Sequence, residues 1–465
     1  MVHRLCLRQL AETIGGQLQL GSMPPLGGEL EPVGRVVTDV RDVRPGDVYW
    51  ALGTSSCNVA ARAEEAFAHS AAGAVVSGRR LEPWAGTFSL VVEDPQGALR
   101  QLARRIRAEF TGRMIAVTGS LGKTTTRRMI EAVLATQLHG WSPEHAANDQ
   151  LGLPLSLLEL GEEHDFCVVE YGPPERGEIP ELSHLCDPEI VVINSLTNQR
   201  TGTLDERARI CEAELLEALP EDGWAVLNGD ARRLRAFGEQ TDAQVVLVGR
   251  GSHCDVTASQ IRSRSGQLSF TIAGTPFRVP VWGRHPLHSA LAAYAVGRIL
   301  EIPPQAMAAA LEQFQMPPQR CEITRGREVT VIDDTYDHHA ASLDAALEVL
   351  RDFEGAGRRI VVCGDLTGTG NLQELHRRMG HAIVAHCGAD VLVACGRYSS
   401  EMTAAAEAAG MSPRRVLPCQ RVEEAATRLQ DLVGPGDVVL VKGGRGLGLT
   451  RLVEVLLDEA PALTA

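Results

Sequence analysis

Ile115-Ala116-Val117-Thr118-Gly119-Ser120-Leu121-Gly122-Lys123-Thr124-Thr125-Thr126 decides the reading of this chain. A β-branched apolar run stops at Gly119, and Lys123 with three threonines precedes a helical pattern beginning Arg127-Arg128-Met129-Ile130. Strand, glycine loop and helix start, in that order, make a phosphate cradle. Loop N–H groups and the helix N-terminus face the anion, the lysine neutralises it, and a threonine hydroxyl can ligate Mg2+. The usual spacing wants a glycine at Val117, so this is a shortened form, G-x-x-G-K-T-T. Gly119, Ser120, Gly122, Lys123, Thr124 and Thr125 are the expected nucleotide-binding residues. A glycine turn with a chance Lys-Thr pair is the alternative; the strand and helix signals on either side argue against it.

The 465 residues are too many for one core and suggest about three domains. Hydrophobics at 44% and aromatics at only 4% suit an α/β enzyme. A formal charge of −14 with no offsetting basic stripe argues against a nucleic-acid surface. The eleven cysteines contain no C-x-x-C pair and read as buried thiols of a reducing compartment, not as a disulfide frame or zinc site. No apolar run is long enough to span a bilayer and the N-terminus lacks a signal-peptide core, so a cytoplasmic protein is expected.

Three segments follow. Residues 1–111 hold a short helix at Leu7–Ile14, strand-like stretches at Arg35–Thr38, Asp47–Leu52 and Ala74–Val76, and a helix from Gly97 to Phe110. Residues 112–315 alternate strands and helices as a parallel sheet does, with strands predicted at Met114–Thr118, Phe166–Tyr171, Ile190–Asn194 and Trp224–Leu227. Polar alternation from Val256 to Val281 predicts an antiparallel patch in the same domain. Residues 316–465 repeat the alternating pattern at Thr330–Asp333, Arg359–Cys363, Val391–Cys395 and Val438–Lys442, a Rossmann-like sheet without G-x-G-x-x-G. The fold class is α/β in three domains.

Further chemistry sits at strand ends and turns. Glu170 closes the second central strand, where a carboxylate can complete a Mg2+ site beside the phosphate loop. Asn148 lies in a polar turn before a helix, a weak signal alone. Asp333-Asp334-Thr335-Tyr336-Asp337-His338-His339 crowds acids, a tyrosine and two histidines beyond what a loop needs for solubility. Adjacent histidines share one metal ion poorly, so polar contact with substrate fits better. Lys442-Gly443-Gly444-Arg445-Gly446 has the make-up of an anion-binding turn, with a plain glycine loop as the alternative.

Together these motifs resemble the Mur ligases, ATP-dependent amide-forming enzymes of peptidoglycan synthesis. They are closest to the branch that adds D-alanyl-D-alanine to UDP-N-acetylmuramoyl-tripeptide. N-D-Q-L-G-L-P-L from Asn148 resembles N-N-x-x-G-x-P-L, and E-Y-G-P-P-E-R-G-E-I from Glu170 resembles E-M-G-x-x-x-x-G-E-I. L-N-G-D around Asn228 resembles a strand end that approaches the nucleotide, and Q-R-C-E around Arg320 resembles the G-R-x-E opening the C-terminal domain. I-D-D-T-Y-D-H-H-A-A-S, G-D-L, E-L-H and V-K-G-G-R-G resemble later landmarks, and T-D-V-R-D-V-R-P-G-D-V from Thr38 resembles a uridine-binding entry.

The resemblance implies ATP and Mg2+ as cofactors and an acyl phosphate attacked by an amine. It implies UDP-sugar peptide and dipeptide substrates, no nucleic acid, no membrane insertion and a monomer. Lys123, Glu170 and Arg320 take the catalytic roles, Arg320 also contacting phosphate, with Asn228 and Asp333 toward the nucleotide. Thr124, Glu170 and Glu212 hold metal, and Thr38, Asp39, Asn148, Asp334, Tyr336, Lys442 and Arg445 meet substrate.

Several positions depart from the family. A metal-binding histidine falls at Gln199, beside Arg200, and a carbamylated lysine falls at Glu212, a carboxylate on a shorter arm. The expectation is that Glu212 replaces the carbamate and Arg200 one metal charge. The adenine-side H-N-x-x-N reads His285-Pro286-Leu287-His288-Ser289, losing both amides, whose paired donor and acceptor proline cannot supply. D-G-H-x-F is absent around Cys57-Asn58-Val59-Ala60, and Asp337-His338-His339 stands where the family has N-A-N. A Mur-ligase-like enzyme with another carboxylate and amine, or a non-catalytic nucleotide-binding paralogue, are the alternatives.

Overall fold

The structure, a computed structural model, describes residues 5–25, 27–52, 56–78, 81–143, 151–171, 185–194, 215–326, 328–355, 357–368 and 370–457, with 56–59 and 445 as backbone only. Among these residues the strands form three sheets. The first joins β1 (Gln17–Leu20), β2 (Val36–Val37), β3 (Val48–Trp50), β4 (Gly73–Ser77) and β5 (Phe88–Val92) in the order β1-β5-β4-β3-β2, with helices α1 (Leu7–Ile14), α2 (Ser56–Ala68) and α3 (Pro95–Glu109). Asp94 caps α3 by accepting the Gln96 N–H at 2.9 Å, and Pro95 starts it with no N–H left unpaired.

The second sheet contains β6 (Arg113–Thr118), β7 (Gly140–Trp141), β8 (Phe166–Glu170), β9 (Ile190–Ile193), β10 (Trp224–Asn228), β11 (Gln244–Gly249), β12 (Val256–Arg264), β13 (Gln267–Ile272) and β14 (Thr275–Val279). Its order is β14-β13-β12-β11-β10-β9-β6-β8-β7, parallel from β7 through β12 and antiparallel across β12–β14. The parallel strands are near-continuous apolar runs because both faces are covered. Helices α4 (Lys123–Leu134), α7 (Leu287–Ile299) and α8 (Pro304–Glu312) cover one face, and α5 (Gly152–Leu158) and α6 (Arg232–Gly238) the other.

The third sheet runs β15-β16-β20-β17-β18-β19, where β15 is Glu322–Arg325, β16 Thr330–Asp334, β17 Arg359–Gly364, β18 Val391–Cys395, β19 Val416–Cys419 and β20 Val438–Lys442. Only β15 is antiparallel. Helices α9 (Leu343–Asp352), α10 (Leu372–Cys387) and α11 (Ser399–Ala408) pack on one face, α12 (Val422–Leu432) and α13 (Thr450–Leu456) on the other. This is the Rossmann-like alternating sheet expected of residues 316–465, with β15 as an antiparallel edge.

Two joints hold the sheets in place. Leu7, Leu10, Leu99 and Ile106 of α1 and α3 share one core with Leu153, Leu157 and the central strands. Buried Arg107 donates to the Cys186 and Asp187 carbonyls at 2.8 and 2.5 Å and pairs with Glu189 at 3.0 Å. On the other side, Trp282 stacks on Phe353 with centroids 5.0 Å apart, and Arg264 meets Glu354 at 3.0 Å.

Candidate nucleotide and phosphoryl-transfer site

The parallel strands of both large sheets end in polar residues that are buried: Thr118, Glu170, Asn194 and Asn228 in one, Asp333, Asp334 and Lys442 in the other. Ligands in open α/β sheets gather outside these carboxyl ends. A cavity of about 230 Å³ lies there, running from Leu121, Gly122 and Thr125 past Asn194 and Asn228 to His288 and Ser289. Arg320, Asp334 and Asp337 of the C-terminal segment also line it.

The loop before α4 has the form its glycines allow. Gly122 has φ +75°, which demands glycine, and a Cβ there would sit 2.8 Å from the Asn194 amide nitrogen and displace it. Lys123 Nζ donates to the Gly119 carbonyl at 2.9 Å, folding the side chain back over the loop. The Thr124 hydroxyl donates to Glu170 Oε2 at 3.0 Å and accepts from Arg320 Nη2 at 2.8 Å. Glu170 Oε1 accepts from Arg127 Nε at 3.0 Å, and both of those side chains are about 2% exposed. Thr124, Glu170 and Arg320, far apart in sequence, thus form one chain of hydrogen bonds.

Arg320 is held by strained backbone. Gln319 and Cys321 on either side have φ +60° and +50°, a conformation costing about 1–3 kcal/mol at a non-glycine residue. Surrounding bonds enforce it: Glu322 accepts the Gln319 N–H at 2.9 Å, Asp334 the Cys321 N–H at 3.2 Å, and the Gln319 carbonyl the Tyr336 N–H at 3.2 Å. Tyr336 lies under the guanidinium, 4.3 Å from ring centroid to Cζ.

Behind the cavity wall, Lys442 is fully buried, 3.0 Å from Asp334 Oδ2 and 2.5 Å from the Asp337 carbonyl. Burial opposes its charge, but Asp334 and Asp337 outweigh that and raise its pKa above the ordinary lysine value. Burial also pushes the Asp337 carboxyl upward, and Lys442 and the His339 N–H more than reverse it. Asp333 does not line the cavity; its Oδ1 accepts the Thr335 N–H at 2.9 Å, and burial raises its pKa.

At the far end, Asn228 donates to the Asn194 carbonyl at 3.0 Å and accepts the Asp230 N–H at 3.0 Å. Asp230 accepts from His288 Nε2 at 2.9 Å and from the Arg250 and Gly251 N–H groups at 3.0 and 3.1 Å. The His288 bond chiefly holds the Asp230 carboxyl well below the usual range. The depressed pKa means that its stabilising contribution is complete above the unfolded value near ~4 and fades as pH falls toward the folded one. The stability gap between wild type and Asp230→Asn, followed by urea unfolding, should therefore narrow from pH 6 to pH 3. A gap that stays constant would refute this.

Thr38 and Asp39 lie in the first sheet's unit, where Asp39 caps a short 3₁₀ turn by accepting the Arg41 N–H at 3.0 Å. Asn148, Gln199, Arg200, Glu212 and the Arg445 side chain lie outside the described residues. Sequence reasoning passed over Arg127, read only as a helix start, and over Asn194. The signal for Arg127 was its spacing: it follows Thr124 by three residues, and therefore shares a face of α4 with it.

Two family models match the chain: "Mur ligase middle domain" over residues 117–297 and "Mur ligase, glutamate ligase domain" over 319–445. A UDP-N-acetylmuramoyl-tripeptide--D-alanyl-D-alanine ligase of Mycobacterium bovis is 30% identical, covering 98% of either chain. The chain belongs to the Mur ligase family. The Bacillus subtilis ligase of the same name is 29% identical over 91% of this chain and 93% of its own. Among solved Mur ligase structures, MurF from Acinetobacter baumannii superposes with a TM-score of 0.82 at 26% identity, covering 97% of this chain and 98% of that one. Among the described residues, no helix is long and apolar enough to cross a membrane.

Proposed function

We propose that the protein is the ATP-dependent ligase that joins D-alanyl-D-alanine to UDP-N-acetylmuramoyl-tripeptide, releasing ADP and phosphate. The observation carrying this is the bonded series Glu170–Thr124–Arg320, which brings a carboxylate, a hydroxyl and a cation from two domains to one phosphate loop. Full-length similarity to ligases of that name supports the substrate pair.

In this reading the loop N–H groups from Gly119, Ser120 and Gly122 and the N-terminus of α4, with Thr125, hold the triphosphate, and Lys123 and Arg320 neutralise charge on the transferred phosphoryl group. The substrate carboxylate attacks the γ-phosphorus, the bond to the β-bridging oxygen breaks, and ADP leaves. The amine then attacks the acyl phosphate carbonyl and gives up a proton, and the tetrahedral centre collapses to the amide as phosphate departs. The Thr124 hydroxyl and the Glu170 carboxylate are hard oxygen donors 3.0 Å apart, a donor pair that suits Mg2+. Bound there, Mg2+ would shield negative charge between the phosphates. Glu212 would supply the second carboxylate and Arg200 a fixed positive charge. Asn228 acts on the nucleotide side, and Asp333, which does not line the cavity, braces the end of β16 through the Thr335 N–H. Asp334, Tyr336, Lys442 and Arg445 shape the cleft for the amine, and Asn148, Thr38 and Asp39 meet the UDP-sugar peptide. The domains are taken as 1–111, 112–315 and 316–465, in a cytoplasmic monomer.

The test is to incubate protein, ATP, Mg2+, UDP-N-acetylmuramoyl-tripeptide and D-Ala-D-Ala and to measure ADP and ligated product. ADP release only with another amine favours a different amine substrate, a reading that Asp337 in the cavity wall, where the family has asparagine, supports. Nucleotide binding without turnover overturns both.

A further inference from the structure

Two guanidiniums meet one carboxylate at the centre of this site. Arg127 bonds to Glu170 Oε1 at 3.0 Å, and Arg320 reaches Oε2 through the Thr124 hydroxyl, with bonds of 2.8 and 3.0 Å. Both carboxylate oxygens are therefore already satisfied by protein donors. Among the described residues the other acid near Arg127 is Glu131 at 3.6 Å, with a side chain 42% exposed, whereas Arg127 and Glu170 are about 2% exposed. Arg127 Nη1 donates to Ser142 Oγ, and Nη2 has no hydrogen-bond partner among the described residues.

Mg2+ gives up its hydration reluctantly and needs a strongly negative site to do so. Among the described residues one carboxylate, Glu170, meets two guanidiniums there, and a bare divalent ion arriving at it would be repelled by both across a medium less polar than water. A triphosphate reverses the sign of that field and offers Arg320 an anion in exchange for the Thr124 hydroxyl.

We propose that Arg127 is a positioning residue that makes the Glu170 metal site conditional on nucleotide: the nucleotide-free protein does not bind a divalent cation at Glu170, and the cation enters with the triphosphate. This rests on Glu170 as the metal ligand of the proposed function. Arg127 touches neither phosphate nor cation in this role. It acts by fixing the Glu170 carboxylate and by cancelling its charge until the nucleotide supplies more.

Mn2+ binding, read by electron paramagnetic resonance on the full-length protein, tests it without turnover. In nucleotide-free protein, the wild type and Glu170→Gln should bind Mn2+ identically, all of it at sites unrelated to Glu170. With β,γ-methylene-ATP the wild type should gain a Mn2+ that Glu170→Gln binds at least about tenfold more weakly. Arg127→Met should acquire a Glu170-dependent Mn2+ site without nucleotide, at least about tenfold tighter than in wild type. Arg127→Met/Glu170→Gln should lose that site, and Arg127→Lys should restore the exclusion. A Glu170-dependent Mn2+ in nucleotide-free wild type overturns the proposal, and does so even if Arg127→Met fails to fold. A folded Arg127→Met that gains no site removes Arg127 from the role. No Glu170-dependent Mn2+ with the analogue present overturns instead the assignment of Glu170 as metal ligand.

Discussion

Lys123→Ala will lower ligation by about 10³-fold or more while the protein stays folded, because a cation aimed at developing phosphoryl charge contributes to the transition state and not to the core. Lys123 opens α4, and its Nζ reaches back to the Gly119 carbonyl at 2.9 Å, above the loop and not inside either hydrophobic layer. Alanine suits that helix position at least as well as lysine does. The comparison is kcat for ADP release at saturating substrates, alongside thermal unfolding of wild type and variant. Activity within tenfold of wild type would exclude Lys123 from the transferred phosphoryl group. A large loss of stability would reassign it to folding.

Lys442→Met should be the most damaging single change to the C-terminal domain. Lys442 ends β20, which lies between β16 and β17 in the middle of the third sheet, and its side chain is fully buried. The ammonium is held by Asp334 at 3.0 Å and by the Asp337 carbonyl at 2.5 Å. Methionine fills similar space but leaves the buried Asp334 carboxylate without its cation, held by the Cys321 N–H, a loss of about 3–5 kcal/mol. Pairing it with Asp334→Asn should recover part of that loss, since no charge is then stranded. Denaturant unfolding of the two variants measures both effects, and a cost below about 1 kcal/mol for the single change would refute the argument. The pH dependence has a definite sign. A lysine whose pKa is raised on folding contributes fully below its unfolded pKa, and that contribution is lost as pH rises through the folded value. Wild type should therefore lose stability in alkali relative to Lys442→Met.

Much of this architecture was legible in order. The strands Val391–Cys395 and Val438–Lys442 occur where their apolar runs predicted, and β6 begins one residue earlier than read. These strands are buried on both faces, so their signal is a continuous run that needs no partner to be seen. Residues 17–20, 88–92, 244–249, 322–325 and 416–419 form strands that were not anticipated, and α2 was missed as well. β19 carries Pro418 and lies at a sheet edge, where a missing N–H costs least and the propensity signal is weakest. β15 is a short edge strand whose pairing comes from β16, not from its own pattern.

By itself the sequence determined that a phosphate loop joins a buried strand to a helix, because glycine conformation, lysine charge and apolar periodicity are local properties. It also determined the family, through motifs spread along the chain. Only the tertiary structure decided what the loop meets. Thr124, Glu170 and Arg320 come together because parallel strands deliver their carboxyl ends to one edge, and because strained backbone at Gln319 and Cys321 turns Arg320 into that edge. Arg127 was invisible as a partner of Glu170 for the same reason. Spacing along a helix shows which side chains share its face, but burial against β8 decides that this face holds a charge pair and not a solvated arginine.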